Sequence, residues 1–335
     1  MKKVINIPIE PLEDRYSTQW DGWFKSAFAL EAFETITVYG TSTSGKINIG
    51  SFLDVFETNQ YKLSQLQSII EILKSMPTDE HIVLFFHDLW FPGLETIAYL
   101  RQGVGFTNLK ICGCLHAGTY DPFDFLTKKG MEAWGKKLEE SWFVFIDKIF
   151  VATKFHKELL TINRDIHPSK IQVTGFPIFP SQIPYYLKEN IIVFPHRLDS
   201  EKNPDLFDLL SEDCATEDWQ FIKSKAVCAT KSEYYDLLAR SKIAISFAEQ
   251  ETWGIAMQEA VFAGCLPLVP NRLSYIEMYA KTFRYTSYED CVLKLKAYIN
   301  SIKNYESILI ENAKNLSKQG REAIPRIINK IKTLC

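Results

Sequence analysis

Short runs that are apolar at almost every residue alternate along this chain with longer segments whose apolar residues recur every three or four positions. A run with no polar face must be covered on both sides, which is the condition of a strand in a parallel sheet. Two parallel neighbours need a crossover between them, which is most often a helix. The pattern therefore restricts the chain to layered α/β folds. It predicts strands at 4–7, 35–39, 81–86, 109–115, 148–152 and 171–174, with helices at 20–33, 61–75, 94–101, 130–146 and 154–162 between them. Pro177, Pro180 and Pro184 then interrupt the alternation, as in an interdomain linker. A second series follows, with strands at 190–194, 220–223, 242–247 and 266–269. Its helices are at 205–211, 233–239, 254–263 and 274–279, and the chain is helical from 288 onward. The expected organisation is an N-terminal Rossmann-like domain (1–180), a linker (181–188) and a C-terminal Rossmann-like domain (189–335). The terminal helices of the last domain are free to cross back. Two such domains face each other across a cleft, and ligands bind beyond the carboxyl ends of their strands.

A length of 335 residues, 46% of them hydrophobic, suits two domains with substantial cores. A net charge of -3 and an isoelectric point near 6.1 give no global drive toward nucleic acid or anionic membrane. Local patches stay open: Lys128, Lys129, Lys136, Lys137 and Lys154 read either as a basic rim or as a solvated face. The seven cysteines are odd in number and scattered, and read as structural thiols in a reducing, cytoplasmic compartment. Pro8 and Glu10 break the first apolar run, so no signal peptide is expected, and no run reaches the length of a membrane span.

The most informative segment is Glu251-Thr-Trp-Gly-Ile-Ala-Met-Gln-Glu259. On a helix, eight residues rise about 12 Å and return to nearly the same face. Two carboxylates so placed either accept from paired sugar or ribose hydroxyls or are solvated glutamates flanking a core helix. Upstream, Arg197 and Lys202 stand in a loop between a strand and a helix that begins near Pro204. Cations there converge on a phosphate, or else pair with Asp199 and Glu201. His116 follows one strand, with Tyr120 and Asp121 close behind it, and His87-Asp88 follows another. Each is a site residue or a structural one. The stretch from Glu10 through Arg15 to Gln19 either contacts a second substrate or caps the first helix through Ser17 or Thr18. Gly40 through Lys46 fits G-x-x-x-x-G-K, but Ile47 stands where a P-loop needs a hydroxyl, so a polar loop is expected.

Taken together, these motifs resemble the family-4, retaining glycosyltransferases of GT-B fold. Arg197 and Lys202 match that family's R-x4-K, and Glu251 and Glu259 its E-x7-E. The segment 253–277 is similar to the tRNA-queuosine mannosyltransferase branch. The N-terminal half resembles bacteriophage-encoded glycosyltransferases, with residues 8–20 in place of the family's Gly-rich loop. The resemblance implies a metal-independent hexosyl- or pentosyltransferase with a nucleoside diphosphate sugar as donor and no cofactor. Glu259 would hold the ribose and Glu251 the sugar. Arg197 and Lys202 would neutralise the leaving diphosphate, and backbone N–H groups at Trp253, Gly254 and Ile255 would assist. His116 would approach the donor sugar. Glu10, Arg15, Gln19, His87, Asp88, Tyr120 and Asp121 are acceptor-side candidates. The implied acceptor is a hydroxymethylated base in phage DNA, within a host cytoplasm, with tRNA or a surface glycan as alternatives. A sugar-nucleotide binder without turnover is the competing class.

Overall fold

The computed structural model describes residues 2–12, 16–31, 33–41, 54–179 and 183–334. These fall into two compact units, Met1–Gly175 with Glu322–Cys335, and Phe176–Arg321. In the first unit the strands are β1 (Lys3–Ile7), β2 (Glu34–Thr37), β3 (Ile82–Phe86), β4 (Leu109–Cys114), β5 (Lys148–Val151) and β6 (Ile171–Val173). They alternate with α1 (Tyr16–Leu30), α2 (Val55–Lys74), α3 (Leu94–Val104), α4 (Phe125–Lys128), α5 (Glu132–Phe145) and α6 (Lys154–Asn163). The second unit carries β7 (Glu189–Phe194), β8 (Gln220–Lys223), β9 (Ser241–Ile245), β10 (Leu266–Pro270) and β11 (Arg284–Tyr285). Its helices are α7 (Pro204–Asp213), α8 (Ser224–Val227), α9 (Lys231–Arg240), α10 (Ile255–Phe262), α11 (Tyr275–Met278) and α12 (Tyr288–Ser301). A last helix, α13 (Glu306–Lys332), begins in the second unit and ends in the first.

Both sheets are parallel throughout. Their orders are β2-β1-β3-β4-β5-β6 and β11-β10-β9-β7-β8. In each, the first strand of the unit has its second strand on one side and its third on the other. The connections leave in opposite directions there, so their loops part and open a crevice at the strands' carboxyl ends. These switch points lie between β1 and β3 and between β7 and β9.

The packing explains why the elements form. All five residues of β3 and all five of β10 are buried, as the unbroken apolar runs require. Trp20, Phe24 and Phe28 recur every four residues on α1 and are fully buried; the Phe24 and Phe28 rings lie 5.0 and 5.7 Å from Phe85 of β3. Caps set several helix starts. Asp54 accepts from the Glu57 N–H, Thr153 from that of His156, and Thr230 with Glu233 forms a capping box. α1 starts at Tyr16 and α2 at Val55, earlier than apolar spacing alone predicts, because their first turns are only partly buried. Of the Gly40–Lys46 segment, Gly40 and Thr41 are described and the rest lies outside the described residues, as does Arg15.

Candidate functional site

In the second unit, the loops leaving β7 and β9 at the switch point carry the predicted cations and one of the glutamates. After β7 the chain passes His196 and Arg197 and makes a single 3₁₀ turn, Ser200–Lys202. Asn203 then takes the left-handed conformation (φ 53°) and Pro204 opens α7. The Asn203 side-chain amide donates to the Phe247 carbonyl at 3.1 Å, tying this loop to the one after β9. Lys202 is 5% exposed, and its ammonium donates to the Gln250 carbonyl and lies 3.3 Å from Glu251 Oε2.

Glu251 is not on a helix with Glu259, contrary to the expectation of one shared face. Gly254 precedes α10 with φ 62°, a conformation that ends helical propagation upstream. Glu251 therefore lies in the loop, where its Oε1 accepts from the Gly254 N–H at 2.8 Å. A Cβ at Gly254 would meet the Tyr275 ring at 3.1 Å, a second reason for glycine here. Burial pushes the Glu251 carboxyl up, but the Lys202 ammonium and the Gly254 N–H outweigh it and hold the group below its ordinary 4.5. A depressed carboxyl contributes stability that is complete above the unfolded value and lost as pH falls through the folded one. Glu251→Gln is thus expected to flatten the acid limb of the stability curve below pH 4.5, read from urea midpoints across that range.

Arg197 is bracketed by its own loop. Its Nε is 2.5 Å from Asp199 Oδ2 and 3.0 Å from Glu201 Oε1, and its Nη2 also donates to Glu201. This is the ion-paired alternative read from the sequence. Glu259, 5% exposed, faces α9. Its Oε1 accepts from Lys231 Nζ at 2.7 Å and the Tyr235 hydroxyl at 2.9 Å, and its Oε2 from the Tyr234 hydroxyl at 3.1 Å. Lys231 lies over both tyrosine rings, 4.8 and 4.6 Å from their centroids. Three of the roughly four lone-pair positions of the carboxylate are thus filled from its own chain. Trp253 is buried with its indole N–H unpartnered, and His196 is buried with Nε2 unpartnered and held neutral, its pKa pushed down to about 3 by burial. Sequence reasoning missed His196, Lys231, Tyr234 and Tyr235. The only local signal was the Tyr-Tyr pair one turn into a capped helix.

In the first unit a cavity of about 560 Å³ opens at the carboxyl ends of β1, β3 and β4. Glu10, Asp88 and His116 line it as expected, together with Lys62, which was not foreseen and pairs with Asp88 at 3.3 Å. His116 Nε2 is 2.8 Å from the His87 carbonyl, which assigns the proton to that nitrogen and leaves Nδ1, 3.4 Å from the Tyr16 hydroxyl, as the acceptor. Burial lowers its pKa, so the ring is neutral. Three acceptor-side candidates belong to the interior instead. His87 is fully buried among Trp20, Phe24 and Phe85, with Nε2 2.8 Å from Asn6 Oδ1. Tyr120 pairs with His156 at 2.6 Å, and Asp121 accepts from the Phe123 N–H to close a turn. Gln19 sits half-buried on α1, outside the cavity lining.

Among the described residues no group of three or more His, Cys, Asp or Glu could hold a metal ion, and no helix is long and apolar enough to cross a membrane. No family model matches the chain. Over 131 residues it is 29% identical to the tRNA-queuosine alpha-mannosyltransferase of Drosophila melanogaster, covering 31% of this chain and 34% of that one. The likeness thus spans about a third of the relative's length. Among solved structures, sucrose-phosphate synthase from Thermosynechococcus elongatus aligns at TM-score 0.74 over 99% of this chain and 98% of its own, at 9% identity. The alpha,alpha-trehalose-phosphate synthase (UDP-forming) from Burkholderia vietnamiensis aligns at 0.60 over 84% and 79%, at 10% identity.

Proposed function

We propose that the chain, whose two parallel-sheet α/β domains have the GT-B fold, is a glycosyltransferase. It moves a sugar from a nucleoside diphosphate sugar to an acceptor hydroxyl, with retention and without a metal ion. The observation that carries the reading is the meeting of Lys202 and Glu251, 49 residues apart in sequence, at the switch point of the second sheet. An ammonium there offsets the negative charge that grows on the phosphate oxygen as the glycosidic bond breaks, which favours the transition state over the ground state. The first N–H groups of α10 point the same way electrostatically. Glu251 accepts from sugar hydroxyls, and Arg197, with five N–H donors, takes up phosphate by exchanging one of its carboxylate partners. Glu259 contacts the ribose through its remaining lone pair or by releasing Lys231. The match to the fly mannosyltransferase and the UDP-forming synthase supports a nucleotide-sugar donor. The resemblance read from the sequence keeps a DNA, tRNA or surface-glycan acceptor, a phage context and a cytoplasmic setting within this proposal.

The pairing of Arg197 and the filled carboxylate of Glu259 favour one competing reading, a sugar-nucleotide binder without turnover. A panel of nucleotide sugars decides the first question. At about 100 times its Kd, the correct donor stabilises the chain by about 2.7 kcal/mol, read as a rise in Tm. A panel in which no nucleotide sugar moves the melting curve would overturn both readings. Release of labelled sugar from the donor then separates transferase from silent binder.

A further inference from the structure

We propose that Lys231 is a specificity-determining residue of the donor site. Its ammonium competes for Glu259 with the second hydroxyl of a ribose and leaves the carboxylate when a vicinal diol binds. That the diol belongs to a donor nucleotide rests on the glycosyltransferase reading. The competition itself rests on how Glu259 is held. The capping box of Thr230 and Glu233 fixes the start of α9 at Lys231. Residues three and four positions further on share a helix face with it, so Tyr234 and Tyr235 present their rings to its ammonium, at 4.8 and 4.6 Å. The same three side chains meet Glu259 of α10, which lies 28 residues from Lys231 in the sequence.

The two oxygens of Glu259 are filled unevenly. Oε1 accepts from Lys231 at 2.7 Å and from the Tyr235 hydroxyl at 2.9 Å, which takes both of its lone pairs. Oε2 accepts from the Tyr234 hydroxyl at 3.1 Å and, among the described residues, keeps its other lone pair. One ligand hydroxyl therefore fits beside Lys231, and two do not. Tyr234 and Tyr235 are 9% and 7% exposed, whereas the Lys231 side chain is 25% exposed. The lysine is the partner on the solvent side and the one that a ligand displaces. After the exchange the carboxylate accepts two hydroxyls from its own chain and two from the diol, so no lone pair is left empty. The ammonium keeps the faces of the tyrosine rings, which lowers the cost of its release. A ribose thus gains from its second hydroxyl only the surplus over an ion pair. A 2′-deoxy sugar, with one hydroxyl, takes the open position and never meets the competition. Lys231 therefore weakens the hold on a ribonucleotide and favours its release after sugar transfer.

The test is calorimetric titration of the whole chain with UDP, GDP, ADP and CDP and with their 2′-deoxy forms. In Lys231→Met, which keeps an apolar stem over the tyrosines, the preference for the ribo form should rise about threefold to tenfold over wild type, the net worth of one hydrogen bond. The ratio of ribo to deoxy binding cancels any general attraction of an ammonium for a diphosphate. A preference that is unchanged or smaller in Lys231→Met overturns the proposal. Should that variant fail to fold, the wild type gives the answer through labelling with acetic anhydride and peptide mass spectrometry. Lys231 should label faster with the ribo form bound and at its ligand-free rate with the deoxy form bound. Slower or unchanged labelling with the ribo form bound overturns the proposal, because the lysine would then contact the nucleotide or stay on Glu259. A nucleotide that binds without these effects defeats this proposal alone and leaves the donor reading standing. If none of these nucleotides binds, both fall.

Discussion

Lys202→Ala is expected to lower the rate of sugar transfer about a hundredfold to a thousandfold, the usual cost of removing one group aimed at charge that develops in the transition state. The expectation follows from where Lys202 is and how it is held. It is nearly fully buried, so its field is little screened, and the Gln250 carbonyl and the Glu251 carboxylate fix its ammonium between two loops. A preorganised cation of this kind needs no rearrangement at the moment of reaction. The substitution also strips Glu251 of its counter-charge, so a loss of rate by itself would be ambiguous. Pairing Lys202→Met with Glu251→Gln resolves it, because replacing both members of an ion pair by uncharged groups is far less destabilising than removing one. The double variant should regain most of the melting temperature lost by Lys202→Ala and stay inactive. A Lys202→Ala protein that folds normally and turns over within a few-fold of wild type would remove Lys202 from the chemistry.

The parts of this site that were legible in the sequence are those that local pattern determines. The strands β3 and β10 were plain because every residue in them is apolar and buried. The loops that follow such strands place Lys202, Glu251 and His116 at carboxyl ends without further information. Three things were not legible. The first is how Glu251 is held: a helix read from 254 onward already leaves it in the preceding loop, but nothing in the spacing shows its carboxylate turned back onto the Gly254 N–H. The second is the partner of each buried charge: Lys62 with Asp88, Arg164 with Glu139 and Lys231 with Glu259 join residues 26, 25 and 28 apart on different elements. Only the packed fold brings these together. The third is the difference between a histidine at a strand end and a histidine at a site. His87 directly follows β3 and His116 stands two residues beyond β4, and α1 covers the first with Phe24 while the second, against Tyr16 and Trp20, lies on the cavity.

Glu139→Ala is expected to destabilise the first unit by about 3–5 kcal/mol, the range seen when one member of a buried pair is removed. Glu139 and Arg164 have side chains 1% and 4% exposed, so water cannot replace what is lost. One carboxylate oxygen accepts from the Thr119 N–H at 2.6 Å and the Trp90 indole N–H at 3.1 Å. The other accepts from the Thr119 hydroxyl and from Arg164 Nε, both at 2.9 Å. Truncation leaves a buried guanidinium without its counter-charge and two buried N–H donors without acceptors, and each of these costs free energy. The same network holds Trp90, a wall of the cavity, and the loop after His116. Gly118 in that loop is packed so closely that a Cβ would lie 2.6 Å from Glu139 Oε1. Five of the seven tryptophans lie in the first unit, so urea unfolding followed by tryptophan fluorescence reports chiefly on it. The partner variant separates charge from shape. If the loss is electrostatic, Glu139→Met combined with Arg164→Met should recover most of the stability, since well-packed apolar pairs replace buried ion pairs at little cost. If instead the double variant is as unstable as Glu139→Ala, the carboxylate acts mainly by filling space and bonding Thr119, and the ion pair contributes little.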